Sequence, residues 1–160
     1  MQGLSRTDFD LCEYAPLILE VIESGGEFRL FPRGTSMLPL IRQGKDSVVL
    51  VKPCDKLKKW DIIFYRRDDG QFVLHRIVGV AKDGSYILCG DNQTFLERDI
   101  RRDNVLASVC AVYRDDKRLE AKSLRMRAYS SFWCVMPFRK FVFFAKRSLI
   151  KIKGKLKRRT

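Results

Sequence analysis

The chain has 160 residues, 46% of them hydrophobic, which is enough to bury one ordinary core and too few for two large domains. Its formal net charge is +13. Five cysteines, Cys12, Cys54, Cys89, Cys110 and Cys134, show no C-x-x-C spacing and stand beside a single histidine, which speaks against a structural metal site, makes free thiols in a reducing cytoplasm the simpler reading, and leaves no cofactor to be expected.

Met1 to Ser24 contains Asp8, Asp10, Glu13, Glu20 and Glu23 and no long apolar run, so neither a signal peptide nor a membrane span is expected. From Ala15 or Pro16 to Ser24 the residues Leu17, Ile18, Val21 and Ile22 recur at helical spacing, Pro16 suits a first turn, and Gly25-Gly26 ends the segment. Residues 1–26 therefore read as a short helical entry. Six stretches follow that are rich in Val, Ile, Phe and Tyr and separated by Gly, Asp, Asn and Pro: residues 27–31, 47–51, 61–66, 71–80, 85–89 and 104–113. They predict short strands, and the segment 27–116 an antiparallel, mainly β domain. Asp-Gly in Arg67-Asp68-Asp69-Gly70 and in Lys82-Asp83-Gly84-Ser85 supplies the positive φ angles of tight hairpins.

Two residues in this β segment suit chemistry. Ser36 lies in Gly34-Thr35-Ser36-Met37-Leu38-Pro39, and His75, the only histidine, in Leu74-His75-Arg76-Ile77. A hydroxyl that attacks a carbonyl needs a base within hydrogen-bond reach, and an imidazole accepts a proton near neutrality. A serine beside a proline is ordinarily a turn former, and a lone histidine in an apolar strand ordinarily a satisfied core residue. On the predicted strand, Val73, His75, Ile77 and Gly79 share one face and Leu74, Arg76 and Val78 the other, so His75 has aliphatic neighbours that disfavour its cation.

Around these two stand Gly44-Lys45-Asp46-Ser47-Val48-Val49-Leu50, Leu57-Lys58-Lys59-Trp60-Asp61-Ile62-Ile63 and Cys89-Gly90-Asp91-Asn92. In this order and spacing the chain resembles, over about residues 27–113, the S24/S26 serine peptidases, the superfamily of type I signal peptidases and self-cleaving SOS-type repressors. The resemblance implies that Ser36 is the nucleophile of a G-x-S-M-x-P motif and that His75 stands at the general-base position, as in the branch with histidine rather than lysine. It implies that Asp91 lies near the histidine to orient it; the alternative for Asp91 is a turn aspartate bonding its own backbone. Gly34, Thr35, Met37 and Pro39 would lie close to substrate. Trp60 replaces the glycine of the usual Gly-Asp pair, Lys45 separates Gly44 from Asp46, and Gly34 offers no hydroxyl, so an oxyanion would rest on the backbone amides of Ser36 and Met37.

Charge is concentrated at the end. Residues 117–160 hold 15 Lys+Arg against one acid, Glu120, a balance of +14 that leaves residues 1–116 at −1. Phe138, Phe141, Val142, Ala145, Leu149, Ile152 and Leu156 recur at spacings of three and four, with Arg139, Lys140, Lys146, Arg147, Lys151, Lys155 and Arg158 on the remaining circumference: a cationic amphipathic helical tail. With Phe132, Trp133, Phe143 and Phe144 it suits an anionic membrane surface, approached from the cytoplasm. The alternatives are an apolar stripe packed on the β domain and, less favoured without a base-reading motif, a nucleic-acid partner.

The sequence thus predicts a serine endopeptidase with a Ser36–His75 dyad, with or without Asp91 as its third member, that acts on an extended peptide such as a leader bound as an extra strand. The resemblance implies a preference for small residues near the cut. The competing class is an inactive relative kept as a binding module that docks on membrane or protein through its basic tail.

Overall fold

The alternation of buried side chains along the central strands divides the molecule into two cores, one on each face of a single sheet. The computed structural model describes residues 11–134, with side chains from Tyr14 onward. Helix α1 (Leu11–Glu23) leads into β1 (Phe28–Leu30), β2 (Ser47–Val51), β3 (Ile62–Arg66), β4 (Phe72–Val80), β5 (Tyr86–Cys89) and β6 (Glu97–Ile100). A short 3-10 turn then precedes β7 (Val105–Arg114), β8 (Lys117–Glu120) and helix α2 (Leu124–Trp133). All pairings are antiparallel, in the order β1-β2-β7-β3-β4-β5-β6, with β8 also on β7.

On β3, Ile62 and Phe64 join the larger core, with Val48 and Leu50 of β2, Leu74 of β4 and Ala107 and Val109 of β7. Ile63 and Tyr65 turn to the other face, with Ile77, Leu88 and Val105. The period of two that predicted these strands therefore also fixes which core each residue enters. Ile18 and Ile22, one helical turn apart, press α1 onto the larger core, and Met126 does the same for α2.

The predicted strands are present with boundaries shifted by about one residue, and the two Asp-Gly loops close as hairpins with Gly70 and Gly84 at positive φ. Helix α1 starts earlier than expected, at Leu11, which places Pro16 inside the helix at the expense of one backbone hydrogen bond. Lys117 does not begin a separate tail. Residues 117–120 form β8 on β7, joined through Asp115 and Asp116, both at positive φ. Ser123 then caps α2 by accepting from the Met126 amide at 3.3 Å. The amphipathic stretch from Phe138 to Leu156 lies outside the described residues. Among the described residues, no helix is long and apolar enough to cross a membrane.

Trp60 retains the left-handed backbone that the expected glycine would have supplied, with φ of 84°. Two hydrogen bonds hold it there: its amide donates to the Ile77 carbonyl at 2.7 Å, and its carbonyl accepts from Arg76 Nη1 at 2.9 Å. Surroundings that over-determine a backbone conformation in this way let a bulky residue occupy a region it otherwise avoids.

Candidate active site

Strand β4 holds His75 opposite Ile63 of β3, with 2% of its surface exposed. Its Nδ1 lies 2.9 Å from Glu97 Oε1 on β6 and 3.3 Å from the Tyr65 hydroxyl. Tyr65 donates to Glu97 Oε2 at 2.7 Å, and Arg67 donates through Nε to Oε2 at 2.8 Å and through Nη2 to Oε1 at 2.6 Å. Burial opposes a charge on Glu97, yet the Arg67 guanidinium and the Tyr65 hydroxyl hold its carboxyl below the usual carboxylate range. Burial and the neighbouring carboxylate keep the Tyr65 phenol protonated.

For His75 the largest influence is burial, which lowers its pKa; Glu97 pulls the other way without reversing the shift. The ring is therefore neutral at neutral pH. An ionised carboxylate can only accept, so the ring proton sits on Nδ1 and the lone pair on Nε2. That is the tautomer a general base needs.

Ser36 is half-buried on the loop between β1 and β2. Its carbonyl accepts from the Asn92 amide at 2.7 Å, and the Thr35 carbonyl accepts from Asn92 Nδ2 at 3.1 Å. Gly90 approaches so closely that a Cβ there would sit 2.7 Å from the Ser36 carbonyl oxygen, a position only glycine tolerates. Ser36 and His75 line the same open cavity of about 230 Å³, with Gly34, Met37, Leu74 and Gln93 among its walls. Of the other residues expected near substrate, Met37 is buried in the larger core. Thr35 and Pro39 are exposed and outside the cavity lining, and the Pro39 carbonyl accepts from Arg114 Nη1 at 2.8 Å. The Gly34 amide donates to Gln43 Oε1 at 2.9 Å.

Asp91 is not beside the histidine. Arg76 takes both its carboxylate oxygens, Nε on Oδ1 and Nη2 on Oδ2, each at 2.8 Å, and the pair is fully buried. The reason is the strand period. His75 and Arg76 face opposite sides of β4, and Arg76 pairs with Cys89, so the turn that follows β5 arrives on the side of Arg76. Glu97 pairs with Leu88, which pairs with Ile77, so β6 delivers its carboxylate to the side of His75. The acid that holds the ring is therefore Glu97, a residue not singled out in the sequence.

Trp133, grouped in the sequence with membrane-facing aromatics, is half-buried and donates its indole N–H to the Asp91 carbonyl at 3.1 Å. No family model matches the chain, and no characterised protein or solved structure matches it either.

Proposed function

We propose that the protein is a serine endopeptidase of the S24/S26 type in which Ser36 is the nucleophile, His75 the general base and Glu97 the carboxylate that fixes the ring. The observation that carries this reading is a buried imidazole whose Nδ1 lies 2.9 Å from Glu97 and which lines the same cavity as Ser36. Ser36 Oγ attacks the scissile carbonyl as His75 Nε2 takes its proton. The tetrahedral oxyanion rests on the backbone amides of Ser36 and Met37. Collapse of the intermediate breaks the C–N bond, Nε2 returns the proton to the leaving amine, and water releases the acyl group by the same sequence in reverse.

The place for a peptide is the edge of β4. Pairing with β5 covers only Arg76 to Val80, so Phe72 to His75 have β3 on one side and no strand of the described residues on the other. An extended segment added there would run past the cavity.

A serine-directed fluorophosphonate tests the chemistry. Labelling is expected at Ser36, absent in Ser36→Ala and His75→Ala, and lost in acid only below pH about 6.5, the ordinary histidine value, because burial lowers the pKa of His75. An unlabelled wild-type protein across pH 6 to 9, unable to cut extended peptides, would leave the binding-module reading. That reading has its own support in α2, which exposes Leu124 and Phe132 at 81% and 66% beside the exposed Arg125 and Arg127, and in residues 135–160, which carry ten Lys+Arg and no acid. If this end of the chain seats on anionic lipid, the protein should pellet with phosphatidylserine vesicles and stay in solution with phosphatidylcholine vesicles. Equal pelleting removes the lipid partner.

A further inference from the structure

The Gly90–Gln93 turn is gripped from two directions. On one side it holds the nucleophile loop, through the Asn92 amide on the Ser36 carbonyl and Asn92 Nδ2 on the Thr35 carbonyl. On the other side α2 holds the turn. The Trp133 indole donates to the Asp91 carbonyl, the Tyr129 hydroxyl donates to Asp91 Oδ2 at 3.2 Å, and the Cys134 thiol lies 3.5 Å from Oδ1. Ser130 Oγ, 1% exposed at the residue level, accepts from Arg76 Nη1 at 3.0 Å, and Arg76 is the residue after His75. One face of α2 therefore reaches both halves of the site, the Ser36 carbonyl through Asp91 and Asn92, and the His75 backbone through Arg76.

We infer that α2 is a positioning element of the active site, with Tyr129 and Trp133 fixing the turn that sets where Ser36 stands relative to His75. The inference rests on the peptidase reading for its catalytic consequence and on hydrogen bonds alone for its mechanical one. None of these α2 residues lines the cavity. Their effect falls on the geometry of attack rather than on binding, and a displacement of about 1 Å at a reacting pair costs about a hundredfold in rate. Burial of the phenol and its bond to the Asp91 carboxylate keep the Tyr129 proton in place, so this contact persists through the alkaline range in which the enzyme would be assayed.

The test uses Tyr129→Phe, which keeps the ring and deletes the hydroxyl donor, and Trp133→Phe, which deletes the indole donor and leaves a smaller aromatic ring, alone and combined in the full chain. Ser131→Ala on the exposed side of α2 serves as the control. Two readouts are taken: amide hydrogen exchange of residues 90–93, and kcat and KM for an extended peptide. The combined variant is expected to exchange the Asn92 amide at least tenfold faster and to lose about 10- to 100-fold in kcat with KM within twofold, while Ser131→Ala changes neither. Unchanged exchange at Asn92 overturns the inference, and so does faster exchange with wild-type kcat. A wild-type protein that takes no fluorophosphonate brings down the peptidase reading instead, and the exchange data alone then decide whether α2 holds the turn.

Discussion

Glu97→Gln is expected to lower the turnover of peptide cleavage by about 10²- to 10⁴-fold with the fold intact, because an amide in place of the carboxylate can donate to Nδ1 and stabilise the wrong imidazole tautomer. In the native site Glu97 Oε1 lies 2.9 Å from Nδ1, and Arg67 and Tyr65 saturate the rest of the carboxylate. Glutamine fills the same volume and keeps one acceptor oxygen, but its NH₂ group must face Arg67, Tyr65 or His75, all of them donors. A ring protonated on Nε2 has no lone pair for the Ser36 hydroxyl. Steady-state kinetics with a thermal-unfolding control check this. The same substitution should leave KM close to its native value, because Glu97 is not part of the cavity wall. Turnover within threefold of wild type would show that the carboxylate has no part in the reaction.

Arg76→Met is expected to cost about 3 to 5 kcal/mol of folding stability, the penalty for leaving a buried carboxylate without its partner. Arg76 has no exposed surface, and Asp91 none. Besides binding both Asp91 oxygens, the guanidinium reaches the Trp60 carbonyl and Ser130 Oγ, so its loss releases three segments at once. Burial works against the charge on Arg76, and the Asp91 carboxylate more than offsets it. Combining Arg76→Met with Asp91→Leu removes both charges and should recover a large part of the loss, so the two effects will not add. Denaturant midpoints of the two single variants and the pair give the answer; additive losses would mean that the ion pair is not the source of the cost.

The strands were legible because their apolar residues alternate and their hairpins carry Asp-Gly. Strands β6 and β8 lack those marks. β6 reads Glu97-Arg98-Asp99-Ile100, three charges with one exposed edge to fill, and β8 reads Lys117-Arg118-Leu119-Glu120, which composition alone assigns to a basic tail. The turn between β7 and β8 is made by Asp115-Asp116 without a glycine, a weaker mark of a left-handed backbone than the Asp-Gly pairs. Ser36 and His75 were legible as a pair of residue types able to do one chemistry, and the structure brings both to one cavity. The acid was misplaced for a physical reason: which carboxylate faces His75 depends on register across β4, β5 and β6, and β6 was not in the predicted sheet. Had a strand been placed at residues 97–100, counting faces from Ile77 through Leu88 would have reached Glu97.

The bare stretch of β4 from Phe72 to His75 spans about 13 Å at strand rise. Main-chain bonding along such a stretch is blind to side-chain identity. On the proposed reading, discrimination among peptides would then fall to the alternate side chain facing the cavity that Met37 and Leu74 help to line. On the proposed peptidase reading, such a short edge would tolerate wide variation in an added strand and be strict at only one point, so strand mimics that vary a single group are the ligands to try.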